Sequence, residues 1–437
     1  MTPPESNQTQ RVIRVGILAE EPLGWGSGKH VFPVILDKYS WTTGGTTYSF
    51  KADFLYDTDI LKGRLHPSTY DVLLVPGGGV GDGLAVMKGF MFMPSVRKWK
   101  HNINRFIQSG GGYVGICGGT ALLTDLMTQD GMHRTFLERQ YHKSSLGVSC
   151  VSHFYTHLAF PMLYPFQRQH PEHIGAIAYV FSFAPGETTD GARPFAGGAP
   201  MDFQIRKDNP IFADVPATIQ RIRWWGGPGL IVPKNPDRDV KILATYPGHD
   251  VSEDDTVRIH AWRYIGGVQG LIQGFFKAAR LLKKEHASLR HLFLYSFYLA
   301  GGWELTDKAI VLEYANKPSI TAEIFPNEHE GRILLCVAHP EYLIWQGGHI
   351  KEKTDSEFPC LGTGLHQWQD IAPMSKNGVP ELTYTWWMVR RFVAWAAKVP
   401  DTDLPPRHEE KLSAEDYALL KKDIFWDGTL ISQMNNI

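Results

Sequence analysis

Apolar residues in this chain gather into short, nearly uninterrupted runs at Val12–Leu18, Val72–Val75, Tyr113–Ile116 and Ile333–Val337. Such runs are too short for a buried helix and lack the alternation of a strand with one wet face, so they predict strands covered on both sides. Between Ser95 and Ser109 the pattern changes. Val96, Trp99, Ile103, Phe106 and Ile107 recur at helical spacing, and Gly110-Gly111-Gly112 closes that helix just before the strand at Tyr113. A strand, a crossover helix and a second strand imply a parallel pair. The pattern therefore predicts an α/β protein with a doubly wound, mainly parallel sheet, in which ligands bind at the carboxyl ends of central strands.

Elsewhere the rhythm is less regular. A glycine-rich turn, Gly24-Trp25-Gly26-Ser27-Gly28, leads into a helical region that ends near Leu36. Two stretches, about 140–213 and 250–303, break the strand–helix alternation and read as insertions able to form a lid or a partner surface; the second carries the basic helical run Phe275–Lys284. Tyr384–Trp395 predicts a helix ended by Lys398-Val399-Pro400, followed by a linker over 400–406. Ser413-Ala414-Glu415-Asp416 then reads as a capping motif that opens a last helix to about Lys422. The organisation expected is one α/β domain over 11–400 with those two insertions, then a linker and helix over 401–437.

Candidate chemistry lies where three of the apolar runs end. The run at Tyr113 stops at Gly115-Ile116-Cys117-Gly118-Gly119 and restarts as a helix. That is the pattern of a nucleophile elbow: the glycines permit a sharp turn, and the following helix N-terminus favours the thiolate. The run at Val72 empties into Pro76-Gly77-Gly78-Gly79-Val80-Gly81-Asp82-Gly83, which matches neither a G-x-G-x-x-G fingerprint nor a P-loop. Its use is bare backbone N–H groups, those of Gly78 or Gly79 joining that of Gly118 in an oxyanion hole. The run at Ile333 ends in His339-Pro340-Glu341, a base for the thiol and a carboxylate to orient the base, with the proline restraining the turn. Each motif alone has a structural reading: a buried cysteine, a flexible turn, a polar strand end. Together, in this order, they predict a Cys117–His339–Glu341 site.

The combination resembles the class I glutamine amidotransferase-like superfamily and, within it, the family named after the N-terminal domain of biotin–protein ligases. The matching pieces are Val75–Gly79, Gly110–Gly119, Trp225-Gly226-Gly227-Pro228-Gly229, Val240–Tyr246 and His339-Pro340-Glu341, spread over most of residues 11–350. The resemblance implies a flavodoxin-like fold, a Cys-His-Glu triad acting through a thioester, and a substrate pocket bordered by Trp225, Gly226 and Gly227. Two departures matter. Glutamine amidotransferases carry a Gly-His-Gln-like segment where this chain has Gly119-Thr120-Ala121, which leaves the amide donor open. The deglycase and intracellular-protease branch has histidine directly after the cysteine, whereas this chain has Gly118 and a distant base, His339.

Composition narrows the partners. The chain of 437 residues is 43% hydrophobic and 12% aromatic, enough for a large core and, by length, about two or three domains. Its 44 Lys and Arg offset 45 Asp and Glu, so charge gives no reason to expect nucleic acid or a membrane surface as partner. No apolar run approaches the roughly 20 residues of a bilayer span and the start lacks a signal-peptide pattern, so a cytoplasmic protein is expected. Four scattered cysteines, 117, 150, 336 and 360, have neither a disulfide framework nor zinc spacing. His153 and His157 stand four apart but lack the glutamate of an H-E-x-x-H motif, so they read as structural and no metal or cofactor is expected.

The sequence thus predicts a cysteine-nucleophile amidohydrolase or glutamine amidotransferase-like enzyme acting on a small-molecule amide, with a synthetase or other protein as a further partner. The alternative is a catalytically inactive binding or regulatory module of the same fold, motivated by Gly119-Thr120-Ala121 and the insertions.

Overall fold

The apolar runs become neighbouring strands of one sheet. The computed structural model describes residues 9–19, 31–77, 94–127, 146–154, 176–178, 182–183, 199–224, 227–249, 259–264, 266–284, 303–310, 314–341, 344–345, 349–352, 366–369, 382–383 and 385–408. The main sheet is built from Thr9–Leu18 (β1), Ser40–Thr43 (β2), Thr46–Leu55 (β3), Val72–Val75 (β4), Gly112–Ile116 (β5), Ala199–Ile205 (β6), Ile219–Trp224 (β7), Asp239–Thr245 (β8), Pro318–Ile324 (β9) and Arg332–Cys336 (β10). Its order is β7-β6-β8-β9-β10-β5-β4-β1-β3-β2.

This α/β sheet is mixed, which corrects the expectation of a mainly parallel one. The pairs β10·β5, β5·β4, β4·β1 and β1·β3 are parallel. The pairs β3·β2, β10·β9, β9·β8, β8·β6 and β6·β7 are antiparallel. β4 and β5 are buried at every residue, as strands covered on both faces must be, whereas β7 and β8 carry exposed positions. β6 falls within the stretch 140–213 read as an insertion, so the main sheet takes a strand from that stretch.

Six α-helices stand among the described residues. They are Val31–Leu36 (α1), Asp57–Leu61 (α2), Pro94–Gln108 (α3), Gly118–Leu123 (α4), Gly267–Lys284 (α5) and Trp386–Ala396 (α6). α6 is buried along its whole length and packs on β4, β5 and β10. Two cations are carried into the interior with it, each satisfied there. Arg390 Nε donates to Ile35 O at 2.9 Å, and Arg391 Nη2 to Asp214 Oδ2 at 2.7 Å. The turn Gly24–Gly28 and the helix expected from Ser413 lie outside the described residues.

Candidate active site

Three parallel strands deliver the site. Val75 of β4 lies beside Gly115 of β5, and Ile116 of β5 beside Cys336 of β10. Gly77, Cys117 and His339 therefore leave the sheet at the same end. They pack directly together: a Cβ at Gly77 would stand 2.4 Å from His339 Cε1 and 2.8 Å from Cys117 Cβ. Only the bare Cα of a glycine lets imidazole and thiol approach at this point.

The elbow is a real backbone feature. Cys117 has φ 47° and ψ −109°, a conformation that costs a residue with a Cβ on the order of 1–3 kcal/mol. Hydrogen bonds hold it there. Its N–H donates to Cys336 O at 2.7 Å, and its carbonyl accepts from Thr120 N–H at 2.9 Å and Thr120 Oγ1 at 2.6 Å. The flanking glycines allow the tight packing around it. A Cβ at Gly115 would lie 2.6 Å from Gly119 O, and one at Gly119 would lie 2.2 Å from Val75 O.

His339 is buried and engaged on two sides. Its Nδ1 stands 2.8 Å from Glu341 Oε1, and across Gly77 the ring faces Cys117, close enough for the thiol to act on its charge. With Nδ1 held by the carboxylate, Nε2 is left for the thiol. Burial by itself pulls the imidazolium down, but the charges and hydrogen bonds of Cys117 and Glu341 outweigh it and hold the His339 pKa up to about 10. Burial pushes Cys336 well above its usual range, and burial with the neighbouring Glu323 carboxylate pushes Cys150 up to about 12.

Behind the thiol lies a closed aromatic cluster. Trp224 Nε1 donates to Tyr246 Oη at 3.0 Å, and Tyr246 Oη donates to Pro228 O at 2.8 Å, with Gly227 O at 3.2 Å. Tyr314 packs on the Tyr246 ring at 4.9 Å. Burial raises the Tyr246 phenol well above its usual range, so it stays neutral and serves as a donor to the loop.

Of the residues predicted from sequence, Cys117, His339 and Glu341 come together; Gly118 follows the thiol as the first residue of α4; the Gly227 carbonyl faces Tyr246 Oη. Gly78, Gly79, Trp225 and Gly226 lie outside the described residues, as does His157. His153 is buried, with Nδ1 2.7 Å from Thr124 Oγ1. Among the described residues, no group of three or more His, Cys, Asp or Glu is placed to hold a metal ion, and no helix is long and apolar enough to cross a membrane.

Sequence reasoning missed Gly77, whose neighbours in the glycine run hid it. It also missed Arg223, whose carbonyl accepts the His339 N–H at 2.7 Å, and Thr385 and Trp386, which reach the His-Pro-Glu turn across 45 residues of sequence. These three act on or through backbone carbonyls, which leaves no motif to read.

No family model matches the chain. Over 78 residues, 18% of this chain, it is 31% identical to the phosphoribosylformylglycinamidine synthase subunit PurQ of Picrophilus torridus, and the chain spans 31% of that relative's length. A putative ThuA-like protein from Bacteroides uniformis, at 10% identity, superposes with a TM-score of 0.26 over 76% of this chain and 82% of that one.

Proposed function

We propose that this protein is a glutamine amidotransferase-like cysteine hydrolase that cleaves a carboxamide C–N bond through Cys117, His339 and Glu341. The observation that carries the reading is the convergence of thiol, imidazole and carboxylate at the carboxyl ends of parallel strands, with His339 Nδ1 2.8 Å from Glu341 Oε1 and both His339 and Cys117 packed against Gly77. Two further observations support the fold. Taken in chain order, the five parallel strands stand second, first, third, fourth, fifth across the sheet, the order of flavodoxin-like folds. The partial likeness to PurQ supports an amidotransferase-like chain. Placement beside the biotin–protein ligase N-terminal domain family rests on the motifs alone.

The Cys117 thiolate attacks the carboxamide carbon, forming the C–S bond. The resulting oxyanion is received by backbone N–H groups, that of Gly118 and one from Gly78 or Gly79. His339 gives its Nε2 proton to the amine as the C–N bond breaks, and ammonia or an amine departs. Water then loses a proton to His339 and attacks the thioester, releasing the carboxylic acid and returning the thiolate–imidazolium pair. Glu341 keeps Nδ1 protonated and offsets the imidazolium charge throughout.

Incubation with glutamine, asparagine and a panel of primary amides tests this. The wild type releases ammonia from at least one, and Cys117→Ala lowers that rate by about a thousandfold or more. Undiminished turnover in Cys117→Ala overturns the reading. No release by either form, with a stoichiometric protein partner retained by both, favours a binding module instead.

A further inference from the structure

We infer that Thr385 and Trp386, the residues that open α6, are positioning residues that hold the His339–Glu341 pair in line with Cys117. The inference rests on the triad reading above.

His339 and Glu341 sit in a turn that a regular ladder does not fix. Its β-pairing is a single isolated bridge, His339 to Arg223. Pro340 has no N–H to donate, so the turn is held through its carbonyls. Pro340 O accepts from Thr385 Oγ1 at 2.8 Å and Glu341 O from Trp386 Nε1 at 2.8 Å. Those two bonds fix the peptide planes on either side of the Glu341 Cα. Rotation of either plane would swing the carboxylate away from His339 Nδ1, from which it now stands 2.8 Å. Thr385, Trp386 and Glu341 are all buried, so water does not compete for these bonds.

The use of Thr385 is the telling detail. A threonine at a helix N-cap ordinarily turns its oxygen to the free N–H groups of the first turn, and losing that cap costs about 1 kcal/mol. Thr385 is the N-cap of α6 yet makes no side-chain cap hydrogen bond. Its hydroxyl is directed to Pro340 instead. The body of α6 packs on β4, β5 and β10, the strands that carry Gly77, Cys117 and His339 to the site. One helix thus references the base and its carboxylate to the frame that holds the nucleophile.

The test compares the wild type with Thr385→Val, Trp386→Phe, Thr385→Ser and His339→Ala. Thr385→Val removes the hydroxyl at nearly constant shape and Thr385→Ser keeps it, Trp386→Phe removes the indole N–H, and His339→Ala removes the imidazole for reference. The readout is the iodoacetamide alkylation rate of Cys117 from pH 5 to 10, with thermal unfolding alongside. Thr385→Val and Trp386→Phe each slow alkylation at pH 7 about fivefold, the worth of one hydrogen bond, and move the pH profile toward that of His339→Ala. Thr385→Ser, which keeps the hydroxyl, retains the wild-type profile. Profiles of Thr385→Val and Trp386→Phe that overlay the wild type, with His339→Ala displaced, overturn the positioning role and leave the triad standing. Slowing in Thr385→Ser equal to that in Thr385→Val overturns it as well. A His339→Ala profile that overlays the wild type overturns the triad reading itself. If Trp386→Phe fails to fold, Thr385→Val carries the same decision alone.

Discussion

Two buried histidines, His339 and His153, have their pKa values moved in opposite ways. Both are almost wholly removed from water, and burial disfavours the imidazolium at both. At His153 the Thr124 hydroxyl stands 2.7 Å from Nδ1, burial prevails, and the pKa falls to about 3. At His339 the same penalty is outweighed by Cys117 on one side and Glu341 on the other, and the pKa rises to about 10. Burial sets the size of the cost; the neighbours decide which way the proton goes. One imidazole is held neutral, and the other holds its charge between a thiol and a carboxylate.

The most damaging way to break that contrast is to separate His339 from Cys117 without touching either. Gly77→Ala does so, because the added Cβ would sit 2.4 Å from the imidazole and 2.8 Å from Cys117 Cβ. A displacement of about 1 Å in a reacting pair costs on the order of a hundredfold in rate, and that is the expected loss of amide turnover. Steady-state kinetics on the folded variant check it. A rate within twofold of wild type would mean the contact is incidental.

A smaller effect sharpens the other half. The His153 pKa drops from 6.5 to about 3 on folding, so as pH falls through that window the unfolded chain takes up a proton that the native state refuses. The stability it contributes is whole above pH 6.5 and is lost progressively toward pH 3, at up to about 1.4 kcal/mol per pH unit. His153→Gln removes this dependence. Between pH 7.5 and 4.5, urea unfolding should show the wild type losing about 2–3 kcal/mol more than the variant. Equal losses would place His153 in contact with a group that stabilises its charge.

Much of the site was legible in the sequence because its strands are buried on both faces. Val72–Val75, Tyr113–Ile116 and Ile333–Cys336 are apolar without a break, and the elbow glycines announce a turn that packing requires. The antiparallel flank was hidden by its own chemistry. In β9, Ser319, Thr321 and Glu323 alternate with apolar residues as on a wet face, yet all three are buried. Glu323 accepts from Ser149 Oγ and, at 3.1 Å, from the Cys150 N–H, partners far away in sequence. Thr385 and Trp386 were readable as the start of a helix, but nothing local to them points to the carbonyls of Pro340 and Glu341.

The proposed chemistry depends on the charge that His339 carries because of Cys117. Histidine NMR titration of the wild type and of Cys117→Ala measures it directly. The wild-type His339 ring stays protonated beyond pH 8 while His153 stays neutral to below pH 5. In Cys117→Ala the His339 midpoint falls but remains above that of His153, because Glu341 still faces the ring. A His339 that titrates near the ordinary 6.5 in both proteins would contradict the coupling of thiol and imidazole, and with it the proposed chemistry.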